Sequence, residues 1–202
     1  MRKLDGGKLV VATHNAGKLA EINALLVPFS IAAVSAGALG LPEPAETETT
    51  YIGNARIKAH AAASATGLPA LADDSGISVD ALGGAPGVYT ADWAETPNGR
   101  DFHMAMDRVY TELQALNAPH PRLAQFRSTL VLAWPDGHDE VFEGVMEGEV
   151  VWPKRGQNGH GYDPIFQPVG QHLTFAEMDE TAKNAISHRG KAFAKLIARC
   201  LS

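Results

Sequence analysis

The 202-residue chain holds one cysteine, Cys200. With no second thiol there is no internal disulfide, which fits a reducing cytosol. Long apolar runs are also missing: each falls short of the ~20 residues that span a bilayer. Met1, Arg2 and Lys3 are followed after one leucine by Asp5, Gly6, Gly7 and Lys8. That start lacks the apolar core of a secretory signal, so the expected location is the cytoplasm. Excess positive charge is absent, the net charge being −6. A sequence-independent nucleic-acid coat is usually basic, so neither a nucleic-acid polymer nor a membrane is an expected partner. An acidic protein can still bind a nucleotide where its few cations converge. Several catalytic motifs are missing as well. Without Cys-x-x-Cys or His-Glu-x-x-His, a structural or protease zinc site is not expected. Without Gly-x-Ser-x-Gly, an α/β-hydrolase is not expected either.

What remains is the composition of an ordinary globular protein, 45% hydrophobic and 20% charged. Leu9-Val10-Val11-Ala12 reads as a buried strand. After a break at 13–18, Leu19, Ile22, Leu25 and Leu26 take helical spacing until Pro28 stops it. Ser30 to Ser35 reads as a second strand, and 36–49 as loop. Thr49 or Thr50 caps an Ala-rich helix that runs to about Thr66, with Gly67 placed to end it. Leu71-Ala72 leads to Asp73-Asp74-Ser75-Gly76, and Ile77 to Val79 resumes a strand. Asn98 is expected to cap a helix that turns Phe102, Met106, Val109, Leu113 and Leu116 to the core. Residues 123–134 and 139–152 read as strands of a hairpin turned by Pro135 to His138. A last helix spans about His188 to Leu201, with Ser187 as its cap and Cys200 on the apolar face. The alternation predicts an α/β fold: a mixed twisted sheet flanked by helices, two lobes with a central cleft, and no linker-separated domains.

Five segments can carry chemistry. Thr13-x-Asn15-x-x-Lys18-x-x-Glu21 sits at a strand-to-helix turn, where free N–H groups and the helix dipole favour phosphate. It lacks the Walker spacing, and a helix cap with a solvated Lys18 is the plain alternative. In Asp73-Asp74-Ser75-Gly76, successive strand residues point opposite ways, so one carboxylate can hold Mg²⁺ or orient a water. The same residues make a good turn. Gly159-His160-Gly161-Tyr162-Asp163-Pro164 offers close backbone approach, flat rings and an acceptor, or a simple surface turn. Lys183 precedes Ser187-His188-Arg189-Gly190. A cation at the start of a helix opposes the dipole, which hints at a ligand. Glu43, Glu46 and Glu48 cluster in the early loop and are candidates to join Asp74 on a metal.

Taken in order, six blocks resemble the inosine triphosphate pyrophosphatase family over Leu9 to about Leu196. They are Ala12 to Glu21, Tyr51-Ile-Gly-Asn-Ala-Arg-Ile-Lys-Ala59, Ala72-Asp-Asp-Ser-Gly76, Leu82-Gly-Gly-Ala-Pro-Gly-Val-Tyr89, Gly161-Tyr-Asp-Pro164 and Ile186-Ser-His-Arg-Gly190. Each alone is weak; six in order are specific. The resemblance implies one pyrophosphatase domain over residues 1–202, a Mg²⁺-dependent cytosolic homodimer that clears deaminated purine nucleotides. ITP, dITP and XTP would go to the monophosphate and pyrophosphate.

The same resemblance implies the roles. Thr13, His14, Asn15, Ala16, Gly17 and Lys18 would bind the triphosphate, with Lys58 adding a contact. Asp74 would be the general base or a metal ligand, with Glu46 or Glu43 as a second ligand, and Ser75 would touch the substrate. His160, Gly161, Tyr162 and Asp163 would cradle base and sugar. Lys183, His188 and Arg189 would read the base. Two residues depart from the family pattern: His160 where Phe is usual, and Gly53 where Glu often precedes Asn-Ala. A pyrophosphatase for modified pyrimidine nucleotides is the nearer rival reading. A nucleotide sensor without turnover is the more distant one.

Overall fold

The computed structural model describes residues 2–4, 6–13, 19, 22–23 and 25–201. Strand β1 (Gly7–Val11) has β2 (Ile31–Ser35) and β3 (Ala70–Val79) as parallel neighbours. Strands β6 (Leu123–Ala133) and β7 (Asp139–Val150) extend the sheet, and β8 (Phe166–Pro168) closes it antiparallel to β7. The order is β2-β1-β3-β6-β7-β8, a mixed sheet. A small ribbon, β4 (Glu95–Thr96) with β5 (Gly99–Arg100), stands apart from it. Among the described residues four α-helices are delimited: α1 (Tyr51–Thr66), α2 (Phe102–Ala115), α3 (Glu180–Ile186) and α4 (His188–Leu196). Among the described residues no helix is long and apolar enough to cross a membrane.

The chain divides into two compact units. Unit one comprises Met1–Asp74, Thr129–Glu143 and Ala192–Ser202; unit two comprises Ser75–Ser128 and Gly144–Lys191. Strands β3, β6 and β7 contribute residues to both.

In unit one the parallel position of β1 explains its composition. A strand covered on both faces needs a continuous apolar run, and Leu9, Val10 and Val11 are all buried. One face packs with Ile22, Leu26, Leu71, Phe142, Phe193 and Cys200. On the other, Val10 meets Ala55, Ala59, Ala62 and Ala63 of α1, small side chains that allow close helix–sheet approach. Thr50 accepts from the Gly53 N–H at 3.1 Å, and Gly67 ends α1 at φ +67° with its N–H on the Ala63 carbonyl. Cys200 is buried, which pushes its thiol up.

Unit two is built on Ile77, Val79, Met106, Val109, Leu113, Phe126, Tyr162, Phe166 and Phe175. Here several expectations shift. Asp101, not Asn98, caps α2, accepting from the Met104 N–H at 3.1 Å. Asn98 belongs to the ribbon turn, where its N–H reaches Thr96 Oγ1. A polar residue three places nearer the apolar run won the cap. The helix stops at Ala115, so Leu116 is 60% exposed instead of facing the core. Residues 70–79 form one unbroken strand, so Asp73 to Gly76 is not a turn. The last helix keeps Ser187 at its start, the Oγ accepting from the Gly190 N–H at 3.0 Å. It widens into a π-type turn over Ile197–Leu201. The short helix α3, capped by Asp179, has too few residues to show periodicity.

Candidate active site

Two clusters gather the sequence candidates. The first lies in unit one, at the carboxyl end of β1. There the chain leaves β1 to one side for β2 and returns on the other side as β3. Such a reversal is where open α/β sheets bind ligands. Val11 pairs with Leu71, so Thr13 and Asp74 continue from adjacent strand positions. His14, Asn15, Ala16, Gly17 and Lys18 lie outside the described residues.

Lys58, on the buried face of α1, organises this cluster. Its ammonium donates to Glu46 Oε1 at 2.5 Å and to the Asp73 carbonyl at 3.0 Å, and stands 3.6 Å from Asp74 Oδ1. Alternation on β3 turns Asp74 inward, 7% exposed, with Asp73 less buried. Burial alone would lower the Lys58 pKa, but Asp74, Glu46 and Asp73 outweigh it and hold the ammonium above the ordinary lysine value. Glu46 is the acidic-loop residue that meets Lys58. Glu43 instead lines a recess of about 130 Å³ beside it, with Ala12, Leu41, Pro42, Ala61 and Lys58.

This donor set suits a hard divalent cation. Two carboxylates and a carbonyl oxygen already converge on one positive charge. Among the described residues no group of three or more His, Cys, Asp or Glu side chains is placed to hold a metal. Mg²⁺ asks for less than that, because it is commonly bound by one or two carboxylates and completed by substrate phosphates and water.

The second cluster lies in unit two. Asp163 is 3% exposed. It accepts the Lys183 ammonium on Oδ2, and the His160 N–H reaches the same oxygen at 2.7 Å. Gly159 makes this possible: a Cβ there would sit 2.1 Å from Asp163 Oδ2, at φ +76°. His188 starts α4 with its ring stacked on Phe126, centroids 4.8 Å apart and planes at 12°. Arg189 points Nη2 at Ser75 Oγ, 3.5 Å away, long for a hydrogen bond. Tyr162 is placed otherwise than as an open ring. It is 1% exposed, edge-on to Phe102, and its hydroxyl donates to the Thr90 carbonyl at 2.9 Å. Burial pushes its phenol up. His160 itself is exposed. Phe126 and Phe175, which pack on His188, were not singled out by sequence, because an aromatic in a strand or loop reads simply as core.

A family model described as the Ham1 family matches residues 9–199. The chain belongs to the Ham1 family. It is 66% identical over 199 residues to the dITP/XTP pyrophosphatase of Ruegeria pomeroyi, covering 98% of each chain. To the dITP/XTP pyrophosphatase of Agrobacterium fabrum it is 55% identical, covering 100% of this chain and 99% of that one. Ham1 architecture is shared too. The HAM1 protein of Coxiella burnetii superposes with a TM-score of 0.88 at 39% identity, over 95% of this chain and 96% of that one. The Staphylococcus aureus Ham1 protein gives 0.84 at 32% identity with the same coverages.

Proposed function

We propose that this chain hydrolyses dITP, ITP and XTP to the monophosphate and pyrophosphate, as a Mg²⁺-dependent homodimer that clears the cytoplasmic nucleotide pool. One observation carries the reading: Lys58 draws Glu46 and Asp74 onto a single cationic point beside the end of β1. The names of the relatives, dITP/XTP pyrophosphatase, support the choice of substrate.

Phosphoryl transfer asks for a positioned water and charge stabilisation rather than covalent help. Asp74 orients the water that attacks the α-phosphorus and takes its proton. Lys58 and Lys18 carry charge to the phosphates, with Thr13, His14, Asn15, Ala16 and Gly17 as donors around them. Glu46 and Asp74 would hold Mg²⁺, with Glu43 as the alternative second ligand, and the metal would supply charge neutralisation on the triphosphate. Ser75 and the His160 to Asp163 segment contact substrate, Tyr162 through its backbone because its ring is buried. Lys183, His188 and Arg189 offer donors to the C6 carbonyl of hypoxanthine or xanthine, and adenine presents an amino group in its place. Donor facing donor is the kind of mismatch that separates substrates strongly; it acts against adenine, whereas guanine shares the C6 carbonyl and must be rejected at its 2-amino group.

The test is pyrophosphate release from dITP, ITP, XTP, GTP, ATP and dTTP with Mg²⁺, beside an EDTA control. Turnover of the deaminated purines far above ATP and GTP, abolished by EDTA, is the expected result. Slow turnover of all three would overturn the assignment. Tight ITP binding without release would then favour a sensor, and dTTP turnover a pyrimidine pyrophosphatase.

A further inference from the structure

We propose that Gly53 is a positioning residue for the active site: its missing side chain is what lets the acidic loop lie across the first turn of α1 and bring Glu46 to Lys58. The inference rests on the function proposed above for Glu46 and Asp74.

Three contacts fold the loop back over the helix start. The Gly53 N–H donates to Thr50 Oγ1 at 3.1 Å, the Glu48 N–H donates to Asn54 Oδ1 at 2.9 Å, and Lys58 Nζ reaches Glu46 Oε1 at 2.5 Å. Asn54 is 2% exposed, so the Glu48 backbone is tied to a fixed point. The Glu48 side chain then runs directly over residue 53. A Cβ on Gly53 would meet Glu48 Cβ at 2.6 Å, Glu48 Cγ at 2.7 Å and Thr50 Oγ1 at 3.0 Å. A side-chain rotation cannot relieve the first of these, because Cβ moves only with its backbone. In this chain, with Glu48 opposite, a side chain at 53 therefore displaces the backbone at Glu48; relatives that carry Glu at this position need a different course of the loop. Glu46 lies two residues before Glu48 in the same exposed loop, and among the described residues its side chain is held by Lys58. Helix propensity argues against keeping glycine here, since alanine is the better helix former. Gly53 is thus held against its intrinsic cost by the close approach of the loop.

The variants are Gly53→Ala, Glu48→Gly and the double variant, in which the opposing Cβ and Cγ are gone. Three readouts are taken on the full chain: the crystal structure, Mn²⁺ binding followed by electron paramagnetic resonance without nucleotide, and dITP turnover against Mg²⁺ concentration. Gly53→Ala is expected to open the Glu46–Lys58 contact. It should weaken Mn²⁺ binding and raise the half-saturating Mg²⁺ by about tenfold, the scale on which supporting residues tune metal sites. Turnover at saturating Mg²⁺ should stay within about twofold, and the melting temperature should change little, because the helix propensity of alanine offsets part of the lost Glu48–Asn54 bond. The double variant should restore both the contact and the metal affinity.

A Gly53→Ala structure that keeps Glu46 on Lys58 overturns the proposal, whatever the activity. So does a double variant as weak in Mn²⁺ as the single one. Failure of the proposed function is distinguishable: there the native protein itself releases no pyrophosphate from dITP, while the structural comparison still decides the role of Gly53.

Discussion

Lys58 Nζ lies 3.6 Å from Asp74 Oδ1, with side chains only 10% and 9% exposed. At that distance the ammonium holds the carboxylate by charge and not by a hydrogen bond. Lys58 sends its bonds to Glu46 and the Asp73 carbonyl instead. The Asp74 carboxylate thus lies beside a cation in a buried place. The general-base role proposed for Asp74 rests on this arrangement.

Asp74→Asn is expected to lower pyrophosphate release from dITP by about 10²–10⁴-fold, the range for losing a positioned acid–base group. Circular dichroism should report an unchanged fold. Among the groups that raise the Lys58 pKa, Asp74 is the largest. The variant should therefore leave Lys58 more readily acylated at fixed alkaline pH, read by mass spectrometry. Near-native turnover would remove Asp74 from the chemistry.

Lys58 also sets an alkaline limit. Burial opposes its charge, but Asp74, Glu46 and Asp73 prevail, so its folded pKa lies above the ordinary 10.5. The native state then binds the proton more tightly than the unfolded chain. That stabilisation is complete below about pH 10.5 and is lost as pH rises through the folded value. Urea midpoints of native protein and Lys58→Met should differ at pH 8 and converge above pH 10.5.

Asp139 sets the opposite limit in unit one. Burial pushes its carboxyl up, yet Arg56 (3.0 and 3.1 Å) and His60 (2.9 Å) bring it below the ordinary 3.8. Its contribution is present above pH 3.8 and fades as pH falls through the lower folded value. The stability gap between native protein and Asp139→Asn should close on acidification, measured by urea unfolding between pH 6 and 2.

Lys183→Met leaves the buried Asp163 carboxylate without its cation. Breaking a buried pair from one side costs about 3 kcal/mol, or roughly 10 °C in melting temperature for a chain of this size. Adding Asp163→Asn should recover part of the loss, because the stranded charge goes with it. Calorimetry of the two variants checks this, and equal melting temperatures for Lys183→Met and native protein would contradict it.

Tyr162→Phe separates a structural tyrosine from one that contacts the base. Removing the hydroxyl deletes one hydrogen bond, to the Thr90 carbonyl, for about 1 kcal/mol. The KM for dITP should not change. A large rise in KM with unaltered stability would give the ring a direct substrate role.

Much of the fold was legible along the chain. The run Leu9 to Val11, the Thr50 cap, Gly67 and the 123–150 hairpin are local signals, and the structure places each within a residue or two. Local signals also misled where two residues competed, as Asn98 did with Asp101 for one helix start. Asp73 to Gly76 reads as a turn by composition. It became a strand because its backbone groups had neighbours to pair with in the sheet.

The sequence by itself determined the elements, the family resemblance and the identity of the chemical groups, since caps, periodicity and motifs act within a few residues. Only the tertiary structure decided the pairings. It chose Glu46 over Glu43 for Lys58, set Arg189 beside Ser75 across 114 residues, and buried the Tyr162 ring in the core. Each of those outcomes depends on where distant segments cross in space. Loop residues without periodicity carry no local record of that crossing.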